Sequence, residues 1–172
     1  MNELKMQYYG SPVLRRKAEP VTDFDDALLE FIESMIDTLY EQNGVGLAAP
    51  QVGVSKRVVI IDTSFGEKED EIIALVNPEI LTVEGECTIE EGCLSVPKVF
   101  EQVTRPERIR VRYQDAHGNV QEDDADGMMA RVIQHETDHL EGILFVDRLG
   151  AVKKAFLSRT LHEIAEREND GE

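Results

Sequence analysis

The run His135-Glu136-Thr137-Asp138-His139 holds two imidazoles four residues apart. In a helix that spacing stacks them on one face, one turn apart, as a two-point clamp for a divalent metal. Glu136 lies about 100° around the helix from the first histidine, near enough to reach a water on the metal without ligating it. Such a carboxylate moves protons. A surface helix that happens to carry two histidines and an acid has the same letters, so a third ligand decides. Catalytic sites of this kind use three protein groups and leave one position for water or substrate.

Downstream the chain reads Leu140-Glu141-Gly142-Ile143-Leu144-Phe145. The glycine sits where a metzincin protease has its own and ends the helix, but the place of the third histidine is taken by Phe145, which has no donor. Glu163 and Glu166 offer carboxylates for a thermolysin-like scheme, on a separate, strongly charged stretch where a solvated surface is the plainer reading. Upstream, Glu90-Glu91-Gly92-Cys93-Leu94-Ser95-Val96-Pro97 places a cysteine after a glycine at the end of a β-prone run. A thiolate binds zinc or ferrous iron strongly. Gly92 permits close backbone approach, and Pro97 with Glu90 and Glu91 marks a strand or turn edge rather than a core strand. Cys93 is therefore preferred as the third ligand, whereas Cys87 reads as a small buried apolar residue.

The segment Gly44-Val45-Gly46-Leu47-Ala48-Ala49-Pro50-Gln51-Val52-Gly53 lacks the Gly-Lys-Ser/Thr of a phosphate loop, and Ser55-Lys56 does not restore the spacing. Together with the two segments above, in this order, it resembles the peptide deformylase family. Tyr9-Gly10-Ser11-Pro12-Val13-Leu14-Arg15 extends the resemblance, which runs from about residue 6 to 160. It implies hydrolytic removal of the formyl group from the N-terminal formylmethionine of newly made polypeptides; spacing alone gives only metal-assisted hydrolysis. It also implies that Gln51, through its side-chain amide, and Leu94, through its backbone N–H, donate to the developing oxyanion. Main-chain groups of Val45 and Gly46 would hold the peptide. Val45, Glu91, Leu94, Phe100, Met128, Arg131 and Val132 would wall a methionine pocket, and Gly92 joins the substrate-binding set.

Two of these positions are unusual against that pattern. Phe100 stands where many family members carry arginine or another residue, and Arg131 where an apolar residue is frequent. An arginine there lays its stem along the pocket with its charge in water, or points wholly to solvent. Arg105, before Pro106, either pairs with Asp138 to orient the ligand helix or forms a plain surface ion pair.

In the resulting scheme Cys93, His135 and His139 hold one divalent metal with a water in the fourth position. The metal acidifies that water, the hydroxide attacks the formyl carbon, and Glu136 carries the proton to the leaving amine. A formyl carbon bears only hydrogen, so a tight pocket admits it and excludes bulkier acyl groups. The resemblance implies Fe2+ in the cell, with Zn2+ or Ni2+ in the purified protein. A zincin-type metallopeptidase is the enzyme alternative. A non-catalytic metal-binding, ribosome-associated module is the other, against which Glu136 argues because coordination does not need it.

These groups need a scaffold. A short helical turn is expected over 11–17 and an amphipathic helix over 25–42, with Leu28, Phe31, Ile32, Met35, Ile36 and Leu39 as its stripe, Thr22 or Asp23 as its cap and Asn43-Gly44 as its end. Strands are expected over 57–62, 72–76, 80–83, 88–90 and 99–103, with a charged loop over 66–71. A hairpin joins 108–113 to 120–122 through 116–119, leaving His117 exposed and silent. Asp124 or Asp126 caps the helix that bears the histidines, with Met129, Val132 and Ile133 buried. A last helix over 151–166 offers Val152, Phe156, Leu161, Ile164 and Ala165 for packing and leaves His162 on the surface. The fold class is α+β, mixed or antiparallel sheets enclosing a central metal-binding helix with helices at either end, in one domain over 1–172 whose acidic tail, 168–172, frays.

Length and 41% apolar content suit one domain with a proper core. Acids outnumber bases 35 to 18, giving −17, which argues against extended binding to nucleic acid or an anionic membrane. Two cysteines six apart indicate no disulfide framework and a reducing compartment. The start, Met1-Asn2-Glu3-Leu4-Lys5, carries no signal core, so a cytoplasmic enzyme is expected, acting on formylmethionyl nascent peptides with a transient ribosome contact and no membrane.

Overall fold

Four consecutive β-branched residues, Val58 to Ile61, cannot all face one side of a strand, so the strand they form must be covered on both faces. A computed structural model, describing residues 4–68 and 71–169, shows how. Val58 and Ile60 pack with Leu28, Ile32, Met35 and Leu39 of a first helix. Val59 and Ile61 pack with Ala130, Val132, Ile133 and Leu140 of a second, the one that carries the histidines.

The chain order is a 3-10 turn at Pro12–Arg15, α1 (Asp26–Glu41), β1 (Gly46–Ala48), a 3-10 turn at Ala49–Val52, β2 (Val58–Ile61), β3 (Ile73–Glu84), β4 (Cys87–Cys93), β5 (Val96–Arg105), β6 (Arg108–Gln114), β7 (Val120–Asp126), α2 (Gly127–Leu140), a 3-10 turn at Phe145–Arg148 and α3 (Ala151–Asn169). An antiparallel sheet of order β1-β2-β3-β6-β7 lies between α1 and α2, and β4-β5 is a separate antiparallel pair. A third apolar cluster joins this pair to α3 through Val96, Val99, Val103, Phe145, Leu161 and Ile164. The α+β class expected from the sequence is observed.

Several boundaries differ, each for a physical reason. The cap of α1 is Asp25, whose carboxylate accepts from the Leu28 N–H, not Thr22 or Asp23. Residues 72–76 and 80–83 are parts of one strand: β3 continues through a bulge at Asn77, where φ is +51° and the side chain bonds both backbone groups of Val21. The expected hairpin strand 120–122 runs to Asp126, because Arg110 and Arg112 of β6 pair with Glu122 and Asp124 and compensate an acidic sequence with poor strand propensity. The strand β1 was not expected at all. On α3, Leu161 and Ile164 pack, but Val152 and Phe156 are 85% and 87% exposed. The helix also continues through Glu168 to Asn169, against the fraying expected over 168–172, whose last three residues lie outside the described residues, as do 69 and 70 of the charged loop.

The end of α2 is fixed by Gly142 in a Schellman arrangement, the Ile143 N–H bonding the Asp138 carbonyl at 2.9 Å and the Gly142 N–H the His139 carbonyl at 3.2 Å. At this glycine φ is +75° and an added Cβ would lie 2.6 Å from the Arg15 carbonyl oxygen. Gly142→Ala is therefore expected to destabilise the fold by more than the roughly 1–2 kcal/mol of a left-handed L residue. Denaturant unfolding measures it, and an unchanged midpoint would remove this constraint from the account.

Candidate metal centre

Cys93 reaches the site because of an irregularity. The β4-β5 register runs regularly from Cys87↔Arg105 to Gly92↔Phe100, then jumps to Cys93↔Val96, so Pro97, Lys98 and Val99 bulge opposite. Lys98 takes a φ of +63° there. Bulges re-aim side chains, and this one delivers the thiol at the hairpin end towards α2. From α2, helical periodicity presents His135 and His139 on one strip. Ligand atoms of Cys93, His135 and His139 lie within 4.8 Å of one another, with Cys93 Sγ 3.4 Å from His139 Nε2. Among the described residues this is the group of histidine, cysteine and acid side chains arranged to hold a metal ion.

The imidazole of His135 is oriented by a carboxylate. Its Nδ1 donates to Glu91 Oε1 at 2.8 Å, which leaves Nε2 for a metal. Glu91 also accepts from Arg105 Nε at 2.7 Å and Nη2 at 3.0 Å, and from Arg131 Nη1. Burial alone would raise its pKa, but the bonds from His135 and Arg105 outweigh burial and hold it down to about 2. Arg105 Nη1 reaches Asp138 Oδ2 at 2.8 Å, and Arg148 closes on the same carboxylate from Nε at 2.9 Å and Nη2 at 2.6 Å. His139 is held well below the usual imidazole range by burial, then by His135 and Arg105, which favours the neutral form a metal needs.

Whether a metal fits follows from what the protein leaves unbonded. Buried atoms of one turn of α2, Glu136 Oε2, Thr137 Oγ1 and His139 Nδ1, have no protein partner, although the neighbouring acids are fully bonded. Burial pushes the Glu136 carboxyl up to about 7. It lies against Gly46, where an added Cβ would come within 2.7 Å of Oε1. A thiolate, two imidazoles and a proton-exchanging carboxyl beside them are a donor set suited to zinc or ferrous iron with a position for water.

Other residues singled out by the sequence fall into place unequally. Gln51 is buried, with Oε1 accepting from the Ala48 N–H at 2.9 Å and Nε2 lying 3.1 Å from Ser95 Oγ and 3.6 Å from Cys93 Sγ. Leu94 begins the turn after Cys93 and packs beside Gly44. Val132 packs beside Gly46, Val45 is half-buried, and the Phe100 ring lies over Gly92. Phe100 and Met128 remain 62% and 56% exposed, Met128 one turn before Val132. Phe145 stacks on His135 with ring centroids 6.0 Å apart. Glu163 and Glu166 pair on the surface of α3 with Arg159 and His162, which is exposed as expected, as is His117.

Three expectations are corrected. The Glu91 side chain does not wall a pocket; it is buried and bonded on both oxygens. Arg131 neither snorkels along a pocket nor points to solvent; its guanidinium is buried against Glu91 and the carbonyls of Val103 and Cys87. Cys87 is only half-buried. Ser95 and Arg148 were missed, and no spacing signal marks either. Arg131 did carry one: with His135 and His139 it forms an i, i+4, i+8 strip.

Metal content of purified variants tests the ligand set. Cys93→Ala is expected to lose the ion and Glu163→Ala to keep it; the reverse pattern would mean a thermolysin-like site instead.

The geometry stands beside a clear kinship. The profile of the polypeptide deformylase family matches residues 3–155. A peptide deformylase of Thermotoga sp. (strain RQ2) is 46% identical over 162 residues, 94% of this chain and 96% of that one. The crystal structure of a peptide deformylase from Legionella pneumophila aligns over 98% of each chain with a TM-score of 0.87 at 42% identity, and that of a plant peptide deformylase with 0.93 at 32% over 99% and 95%. With most of its length matched by the family profile and by such relatives, this chain belongs to the polypeptide deformylase family.

Proposed function

We propose that this enzyme removes the formyl group from N-formylmethionyl peptides by metal-assisted hydrolysis. The observation that carries the reading is the convergence of Cys93, His135 and His139 with a buried, unpartnered Glu136 carboxyl in a chain of this family. Cys93, His135 and His139 would hold the ion, which supplies Lewis acidity and acidifies the attacking water. Glu136, with a pKa pushed by burial to about 7, is poised to take a proton from water and return it to the leaving amine near neutral pH. Gln51 is a positioned donor: the Ala48 N–H and Ser95 Oγ fix its amide, and the Nε2 hydrogen that faces Cys93 Sγ is the one that would turn to a developing oxyanion together with the Leu94 N–H.

The peptide is assigned to the free side of β1. Because the Asp62 N–H bonds the Val45 carbonyl at 2.9 Å, the antiparallel alternation turns the N–H and C=O of Gly46 away from β2, where an extended chain can pair with them. Val45, Gly92, Leu94, Phe100, Met128 and Val132 surround that approach in this reading. The exposed Phe100 and Met128 are apolar surface for the methionine thioether to cover. The domain acts as a single unit over 1–172 in the cytoplasm. A transient ribosome contact is supported by α3, where exposed Val152 and Phe156 stand among Lys153, Lys154 and Arg159 before the first acid at Glu163. Among the described residues no helix is long and apolar enough to cross a membrane.

Turnover of a formyl-Met peptide beside its acetyl and unblocked counterparts tests the reaction. Only the formyl peptide should be processed; equal cleavage of the acetyl peptide, or cutting of internal peptide bonds, would favour a metallopeptidase. Glu136→Ala should keep the ion and lose about 10²- to 10⁴-fold in turnover, the usual worth of a positioned acid-base group. Unchanged turnover would take Glu136 out of the mechanism.

Ferrous iron is proposed as the ion used in the cell. A thiolate with two imidazoles accepts iron, nickel and zinc, so availability decides occupancy. Iron beside a thiolate is open to oxidation at both metal and sulfur, and zinc carries no redox chemistry. Apo-protein loaded anaerobically with iron should turn over faster than the zinc form and lose activity faster in air. An iron form no more active or no more air-sensitive than the zinc form would reject the iron assignment.

A further inference from the structure

Arg131 lies one turn before His135 on the same strip of α2, and its guanidinium contacts acceptors from the opposite side of the centre. Nη1 donates to Glu91 Oε2 and, at 2.9 Å, to the Val103 carbonyl, while Nη2 donates to the Cys87 carbonyl at 2.6 Å. Glu91 and Cys87 belong to β4 and Val103 to β5. One buried side chain thus ties the helix that carries His135 and His139 to both strands of the hairpin that carries Cys93.

This tie matters because of the topology. The β4-β5 pair shares no ladder with the five-stranded sheet. Its distance from α2 is therefore set by side chains rather than by backbone pairing. Arg105 fastens the hairpin to Asp138, beyond His135 on the helix, and Arg131 fastens it one turn before His135. Ligand atoms on the two bodies must sit within a few tenths of an ångström of their places to hold a metal. A planar fork with fixed donor directions suits this task, and an ammonium cannot reproduce all its bonds at once. Without the guanidinium, the buried Val103 carbonyl, the half-buried Cys87 carbonyl and a carboxylate oxygen each lose a donor, and the hairpin relaxes away from α2 or admits water.

We propose that Arg131 is a positioning residue of the metal centre, setting the separation of Cys93 from the two histidines and, through Glu91, the orientation of His135. The proposal rests on the assignment of Cys93, His135 and His139 as ligands. It is tested on cobalt-loaded full-length protein by the absorption bands of the ion and by its rate of loss to a chelator. Arg131→Met is expected to shift the bands and to release cobalt about 10- to 100-fold faster, the usual effect of removing an outer partner of a metal ligand. Arg131→Lys should fall between Arg131→Met and the parent. Leu28→Ala, which weakens the distant α1 core, should lower the melting temperature without changing either readout.

Parent-like bands and release in Arg131→Met would overturn the proposal, as would equally fast release from Leu28→Ala. If Arg131→Met does not fold, Arg131→Lys decides, parent-like release overturning the idea and faster release supporting it. Cys93→Ala separates the two levels. If it holds cobalt like the parent, the ligand assignment itself fails; if it loses cobalt while Arg131→Met keeps it, only the role of Arg131 fails.

Discussion

The bond from His135 Nδ1 to the Glu91 carboxylate is the interaction on which the centre depends. An ionised carboxylate out of contact with water is costly unless its lone pairs are met by charged donors. Glu91 meets that condition through His135 and Arg131 of α2 and Arg105 of β5, so its donors draw two separate elements onto β4. His135 is brought in as a ligand with its ring direction fixed. Arg105 continues to Asp138, which Arg148 holds from the other side. Satisfying one buried acid thus fixes the ends of two strands, the middle of a helix and the 3-10 turn after it. That explains an otherwise odd feature of a chain with a large negative charge: two arginines, Arg105 and Arg131, are buried in its interior.

The Glu136 side of the same helix obeys the opposite rule. Glu136 is one residue from His135, yet its Oε2 has no protein partner, and the cost of burying it appears as a raised pKa rather than as an ion pair. The sequence enforces this at Gly46, since a side chain there would occupy the space of the carboxylate. Adjacent residues of α2 therefore point one way into a saturated ionic network and the other way into a site kept short of donors. A rigid support and a reactive group need these contrasting environments, and the roughly 100° step of the helix separates them within one turn.

How much of this the sequence revealed depends on whether the cause was local. The histidine strip and the intervening acid were legible because helical periodicity acts within a few residues. The two-sided covering of β2 is encoded in its four β-branched residues. The approach of Cys93 to the histidines is non-local; the residues flanking it, Gly92 and Pro97, favoured it as a ligand and the family resemblance added to that, while spacing to the histidines said nothing. The strand β7 was cut short because its acids look unlike a strand until the arginines of β6 are opposite them. The strands expected over 72–76 and 80–83 leave a gap that the Asn77 side chain carries β3 across by bonding Val21. On α3 the apolar residues allow more than one face, and periodicity could not tell that Leu161 and Ile164 turn inward while Phe156 turns out.

Arg131 shows why second-layer residues are the hardest to read. Its place on the histidine strip was visible, but two of its acceptors are backbone carbonyls, which every residue has and no residue type advertises. A charged side chain on an inward strip was therefore assigned to water or to a pocket rim, the two places where an unpaired arginine is tolerated. Only the folded hairpin supplies a third possibility, a buried set of acceptors whose geometry matches the guanidinium. Those acceptors lie in the regular part of the hairpin, where Cys87 to Gly92 pair in step with Arg105 to Phe100, so the two strands that break register to deliver Cys93 keep it where Arg131 grips them.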